Sequence, residues 1–172
     1  DLSLASQLAT LSITSTEIAS FPENMPWLID LTIKLGKHVP NLPLEMPRLK
    51  SLKLIATALS GSITLQAWKA LEEVFISGNT KLSSVIGMED LPQLLNLAIV
   101  RNAVESVGTI RGSPRLLTLD LTQNHLSQLP VFGELPALRN LDASNNKLQI
   151  VSVLPANLEE VNFSQNPLID LD

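Results

Sequence analysis

The sequence predicts an α/β solenoid of low helix content, in which one short strand per repeat stacks on the next as a parallel sheet. Three observations carry this. A leucine-led pattern recurs every 20 to 23 residues along the 172-residue chain. Each copy holds two apolar residues at period two, the spacing of a strand. The hydrophobicity is almost wholly aliphatic, with four Phe, two Trp and no Tyr, which suits a core of stacked, similar layers.

The clearest unit is Leu116, Leu119, Leu121, Asn124, Leu126 and Leu129, spelling L-x-x-L-x-L-x-x-N-x-L-x-x-L. Taken in order, the first copy is Leu8, Leu11, Ile13, Thr16, Ile18 and Phe21, with Thr in place of Asn. The second has Leu28, Leu31 and Ile33, but Gly36 and His38 fall where Asn and Leu belong, so Val39 and Leu42 are expected to take over after a one-residue bulge. The third is Leu49, Leu52, Leu54, Thr57 and Leu59; the fourth, Leu71, Val74, Ile76, Asn79, Leu82 and Val85, carries one extra residue after its Asn. Leu94, Leu97, Ile99, Asn102, Val104 and Val107 make the fifth, and the unit at Leu116 is the sixth. The seventh is Leu138, Leu141, Ala143, Asn146, Leu148 and Val151; the eighth is Leu158, Val161, Phe163, Asn166, Leu168 and Leu171. The units start near 8, 28, 49, 71, 94, 116, 138 and 158 and make one domain over residues 1–172. The period excludes helical repeats of roughly 33 or 34 residues and propeller blades of about 40.

In Leu119-x-Leu121 the two leucines point to one side of a short strand, and Asp120 and Thr122 point to the other. The chain must then turn sharply, and a buried turn leaves backbone groups that need partners. An Asn amide both donates and accepts. Asn79, Asn102, Asn124, Asn146 and Asn166 are therefore expected to stack as a ladder inside the solenoid, with Thr16 and Thr57 as weaker substitutes in looser N-terminal turns. Return segments such as Phe21-Pro22-Glu23-Asn24-Met25-Pro26 and Leu42-Pro43-Leu44-Glu45-Met46-Pro47 are short and proline-rich, which excludes long helices there. They are expected to be extended or 3₁₀ turns, and Thr64 to Leu71, free of Pro and Gly, is expected to hold a helical turn.

Over about residues 8–171 this pattern resembles the leucine-rich-repeat superfamily. The resemblance implies a curved, right-handed superhelix with the parallel sheet on its concave face, used for protein recognition. Features of two subfamilies occur: Leu59-Ser60-Gly61-Ser62-Ile63 resembles the L-x-G-x-I turn of plant-type receptor repeats, and Leu126-Ser127-Gln128-Leu129-Pro130 resembles the bacterial or typical intracellular types. Extracellular members usually carry cysteine-rich caps, and this chain has no cysteine.

Three columns of side chains should face outward from the sheet. The first is Ser12, Thr32, Lys53, Phe75, Ala98, Asp120, Asp142 and Asn162; the second is Thr14, Lys34, Ile55, Ser77, Val100, Thr122, Ser144 and Ser164. The third is Ser15, Leu35, Ala56, Gly78, Arg101, Gln123, Asn145 and Gln165. Leu35, Ile55, Phe75 and Val100 thus form an apolar patch where a wet sheet face would carry polar residues. Lys34, Lys53 and Arg101 rim it on one side and Asp120 and Asp142 on the other, the make-up of a protein contact site. The C-terminal acids read by themselves as a solvated face rather than a site for a cationic peptide.

Other chemistry finds little support. The net charge is −5, with seven basic and seven acidic residues before residue 87 and five and ten from there on, so no basic stripe exists for nucleic acid. Without cysteine there are no disulfides or thiolate sites, which leans toward a reducing compartment while leaving an ectodomain segment open. No apolar run reaches the roughly 18 residues of a membrane span, and the start lacks a signal peptide's basic flank. The two histidines, His38 and His125, lie four repeats apart, too far for one metal site or acid–base pair, and His125 is expected in a solvent-facing turn. The scattered glycines form no phosphate loop, so no cofactor is expected. Asn162-Phe163-Ser164 fits a glycosylation sequon but reads as a chance match within a strand.

These readings point to a non-catalytic module that binds a protein or peptide through the concave face. The alternative is a ligand-sensing or substrate-recruiting segment of a larger signalling enzyme, such as a receptor kinase or a ubiquitin ligase. Self-association through uncapped ends is a third possibility, because stacked repeats leave an apolar face at each end. The missing initiator Met and a stop just after the eighth unit point to a piece of a longer protein, or to Leu2 and Leu4 as a minimal cover with the far edge shielded by another copy.

Overall fold

The computed structural model describes residues 7–14, 20–36, 41–151 and 153–171. The expectations placed on Leu2, Leu4, Ser15, Thr16, Ile18, His38 and Val39 lie outside the described residues. In chain order the strands are β1 (Thr10–Thr14), β2 (Asp30–Lys34), β3 (Ser51–Ile55), β4 (Ser60–Thr64), β5 (Glu73–Ser77), β6 (Lys81–Ile86), β7 (Met88–Glu89) and β8 (Asn96–Val100). They continue as β9 (Ser106–Val107), β10 (Ile110–Arg111), β11 (Thr118–Asp120), β12 (Asn140–Asp142), β13 (Ile150–Val151), β14 (Glu160–Asn162) and β15 (Asp170–Leu171).

One strand from each unit enters an eight-stranded parallel sheet of order β1-β2-β3-β5-β8-β11-β12-β14. The chain is a parallel β-solenoid. The register follows the repeat: Leu31, Leu52, Val74, Leu97, Leu119 and Leu141 are side-by-side partners along the sheet. Within β3, Leu52 and Leu54 are buried while Ser51, Lys53 and Ile55 remain partly exposed, the period-two pattern of a strand with one face inward. The leucine that leads each of the six inner units, at 28, 49, 71, 94, 116 and 138, is completely buried. Burying one such side chain contributes about 1.5–3 kcal/mol.

On the opposite side the chain returns through tight turns. Leu28, Leu49, Leu94 and Leu138 each donate their N–H to the carbonyl three residues back, at Met25, Met46, Leu91 and Leu135. Pro26, Pro47, Pro92 and Pro136 stand at the second turn position, where a ring-fixed φ near −65° fits. No helical turn forms over Thr64 to Leu71. Two successive turns replace it, closed by Trp68 N–H to Leu65 O and Leu71 N–H to Trp68 O. Trp68 holds that course because its buried indole Nε1 donates to Pro43 O at 3.1 Å.

The extended parts of the returns pair as well, in the small parallel sheets β4-β6-β9, β7-β10 and β13-β15. The extra residue of the fourth unit becomes a bulge there. Leu82 pairs with Gly61 and Ser84 with Ser62, leaving Ser83 between them, and Ser83 Oγ closes the gap by donating to Gly61 O at 3.0 Å. Among the described residues no helix is long and apolar enough to cross a membrane.

Candidate functional site

The outer face of the main sheet is built by the strand residues that alternate with the core leucines. Register places Thr32, Lys53, Phe75, Ala98, Asp120 and Asp142 in one row across adjacent strands. Lys34, Ile55, Ser77 and Val100 form the row beside it. Phe75 is half-buried and divides two shallow hollows. Lys53, Ile55 and Ala98 help to line one, and Val100, Arg101 and Asp120 the other.

The expected apolar patch is narrower than its four members suggest. Ile55 and Phe75 are partly exposed. Val100, read as facing outward, is only 9% exposed; it lies on the floor of a hollow whose lining also includes Phe75 and Arg101. Leu35 is 57% exposed, but it stands one residue past the end of β2, beside the sheet rather than on it.

All described members of the third column share a backbone state. Leu35, Ala56, Arg101, Gln123, Asn145 and Gln165 have φ between 50° and 59°, and Gly78 has 72°. This left-handed turn costs a non-glycine residue about 1–2 kcal/mol. What offsets it is a continued ladder: Leu35 N–H donates to Ile55 O, Ala56 N–H to Ser77 O, Arg101 N–H to Thr122 O, Gln123 N–H to Ser144 O and Asn145 N–H to Ser164 O. The column therefore carries hydrogen bonds across the repeats after strand geometry has ended.

Asp120 and Asp142 have a structural duty as well as a charge. Asp120 Oδ1 accepts from Thr122 N–H at 3.0 Å and Asp142 Oδ1 from Ser144 N–H at 2.8 Å. Asn162 Oδ1 does the same for Ser164 N–H at 3.0 Å. Taking the N–H two residues on is the Asx turn, and it coincides with strands of three residues in β11, β12 and β14 against five in β1, β2, β3, β5 and β8. The sequence holds the signal as Asp120-Leu121-Thr122, Asp142-Ala143-Ser144 and Asn162-Phe163-Ser164, an acidic or amide residue two before a hydroxyl residue. Sequence reasoning placed these residues in the outward-facing column, with Asp120 and Asp142 at the rim of the contact patch, and gave them no role in the turn.

The charges on this face are sparsely paired. Lys53 Nζ is 4.0 Å from Glu73 Oε2, and Arg101 Nε donates to Gln123 Oε1 at 2.8 Å. Asp142 Oδ2 accepts from Asn162 Nδ2 at 2.9 Å, so the amide of the sequon is engaged. Among the described residues Lys34, Asp120 and Asp142 make no ion pair.

Behind the face runs the asparagine ladder. Asn102 Nδ2 donates to Ile76 O and Val100 O, and its Oδ1 accepts from Asn79 N–H. Asn124 Nδ2 donates to Ile99 O and Leu121 O, and Asn146 Nδ2 to Leu121 O and Ala143 O. Their Oδ1 atoms accept from Val104 and Leu126 N–H. Asn166 closes the row, accepting from Leu148 N–H and donating to Ala143 O and Phe163 O. At the other end Thr57 joins through a hydroxyl that donates to Asn79 Oδ1 at 2.8 Å.

Among the described residues no three carboxylates and imidazoles gather as a metal-holding group, and His125 is exposed. A family model described as leucine rich repeat matches residues 104–148, the span that holds Asn124 and Asn146 of the ladder. No curated protein and no solved structure matches the chain significantly. Repeats of this family are typically non-catalytic and generally mediate protein–protein recognition. With the leucine pattern setting the register of an eight-stranded parallel sheet, the architecture is consistent with a leucine-rich-repeat solenoid, and the family match over residues 104–148 supports that reading.

Proposed function

We propose that the eight repeats act as one recognition unit that takes up a protein or peptide on the outer, concave sheet face and performs no chemistry of its own. The observation that carries this is Phe75, a partly exposed aromatic in the middle of that face, with Ile55 beside it and a hollow on either side. Aromatic side chains bury much area at low entropic cost and are enriched at contact sites.

The test is affinity capture from cell extract with the wild-type chain beside a Phe75→Glu, Ile55→Glu double variant, after both give the same far-UV circular dichroism and the same mass by light scattering. A protein captured by the wild type and lost in the variant supports the reading; equal capture by both overturns it. The β14 edge favours a second reading, association of copies, because Val161 there is 43% exposed and Leu158, Phe163 and Leu168 are incompletely covered. A mass by light scattering that stays monomeric as concentration rises would exclude it.

A further inference from the structure

The middle row of the outer face is polar along the solenoid. Lys53 and, diagonally next to it, Lys34 stand on one side of Phe75; Asp120 and Asp142 stand on the other. Lys53 lies at the margin of the first hollow and Asp120 at that of the second, and Phe75 is their shared wall. Two further charges border these hollows: Glu73 at the start of β5, 4.0 Å from Lys53, and Arg101 past the end of β8. Both lie at strand ends, away from the middle row.

Resting on the reading of the concave face above, we propose that the partner is an extended peptide segment of fixed polarity crossing the strands. An acidic side chain meets Lys53 and Lys34, an apolar side chain packs against Phe75 in the hollow that Ile55 and Ala98 help to line, and a basic side chain enters the largely polar second hollow to meet Asp120. The spacing follows from the sheet. Lys53 and Asp120 are three strands apart, about 14 Å at ~4.8 Å per strand, so acid and base sit about four residues apart in an extended peptide rising ~3.4 Å per residue. Lys34 to Asp142, five strands, sets the outer limit at about seven. Charge complementarity of this kind fixes register and orientation more than it raises affinity. Asp120 Oδ2 is left over once Oδ1 has accepted Thr122 N–H, so the carboxylate can serve the turn and a ligand together.

The test is selection of a displayed random dodecapeptide library on the full chain, with enriched peptides then measured by fluorescence anisotropy against variants. Lys53→Glu reverses one pole, and Asp120→Asn neutralises the other while keeping the acceptor for Thr122 N–H. The expected result is enrichment of acid and base four to seven residues apart around an apolar residue. Lys53→Glu should weaken binding about tenfold or more, with recovery when the peptide's acid is changed to Lys, and Asp120→Asn should flatten the salt dependence. Enriched peptides that need Phe75 but ignore both charge variants would overturn the polarity and leave concave-face recognition standing. Peptides that bind the Phe75→Glu variant as well as wild type, or a library that yields none, would overturn both.

Discussion

Replacing Asn124 by Ala tests whether the asparagine ladder holds the stack together. Asn124 is 5% exposed. Its Nδ2 donates to Ile99 O at 2.6 Å and Leu121 O at 3.0 Å, and its Oδ1 accepts from Val104 N–H at 3.3 Å. Alanine strands the Ile99 carbonyl and the Val104 N–H on residues that are completely buried, beyond the reach of water. A buried group left unpaired costs about 1–3 kcal/mol. With one short and one long bond lost, the expected total is about 2–4 kcal/mol. Asn166→Ala is the comparison: it removes bonds of the same kind, at 2.9–3.0 Å to Ala143 O, Phe163 O and Leu148 N–H, but the Asn166 side chain is itself only partly buried, so water can enter the space it leaves and a smaller loss is expected although Ala143 and Leu148 are covered. Urea unfolding followed by far-UV circular dichroism measures both. Because each repeat contacts only its neighbours, fluorescence of the buried Trp68 should lag the dichroism in Asn124→Ala as the C-terminal repeats loosen first. A change within about 0.5 kcal/mol for Asn124→Ala, or an equal loss for Asn166→Ala, would refute the reasoning.

Three further outcomes are expected. Ser113 is completely buried in a column otherwise held by Met25, Met46, Trp68, Leu91 and Leu135, and its hydroxyl has no partner, so Ser113→Ala should raise the urea midpoint, by about 1 kcal/mol of stability. Gly61 and Gly112 both have positive φ; a Cβ on Gly61 meets nothing within 4 Å, whereas one on Gly112 runs into Asp90 Oδ1 and comes within 3.0 Å of Asp90 Cα. Calorimetry of Gly61→Ala should therefore show only the conformational cost of about 1–2 kcal/mol, and Gly112→Ala clearly more. In the Asx turn at Asp120, denaturant melts should find Asp120→Asn neutral and Asp120→Ala destabilising by about 1 kcal/mol, since only the first keeps the acceptor for Thr122 N–H.

The fold is readable because the repeat is a register. Once Leu119 and Leu121 are seen as a period-two pair, the same pair at Leu97 and Ile99 and at Leu141 and Ala143 must lie beside it, and the sheet order follows from chain order. Less legible was whatever depends on the path between strands. Thr64 to Leu71 has helix-compatible composition, but Trp68 is held to Pro43 O across the stack, a tertiary tie that no local propensity reports. Nor did the spacing foretell that the returns pair as β4-β6-β9, since Ser60, Ser62 and Thr64 look like loop residues until Lys81 to Ile86 is laid against them. On the outer face, alternation gives the direction of a side chain and not its cover, which is why Val100 reads as exposed and lies on the floor of a hollow.

The Asx turns tie these local choices to the shape of the face. In β5 and β8 the residue aligned with Asp120 is Phe75 or Ala98, neither of which can accept a backbone N–H, so the strand runs two residues further. In β11, β12 and β14, Asp or Asn takes that N–H and the strand stops at the carboxylate or amide. One substitution in the repeat thus sets strand length and surface charge together. The face divides into a half of five-residue strands bearing Lys34, Lys53, Ile55 and Phe75 and a turn-capped half of three-residue strands bearing Asp120 and Asp142. Its charge polarity therefore has a structural origin on the acidic side. Lys34 and Lys53 have no counterpart duty in the backbone, so exchanging both for Ser should leave stability unchanged in a urea melt while removing the basic pole, and a loss of stability there would show that the two halves are not independent.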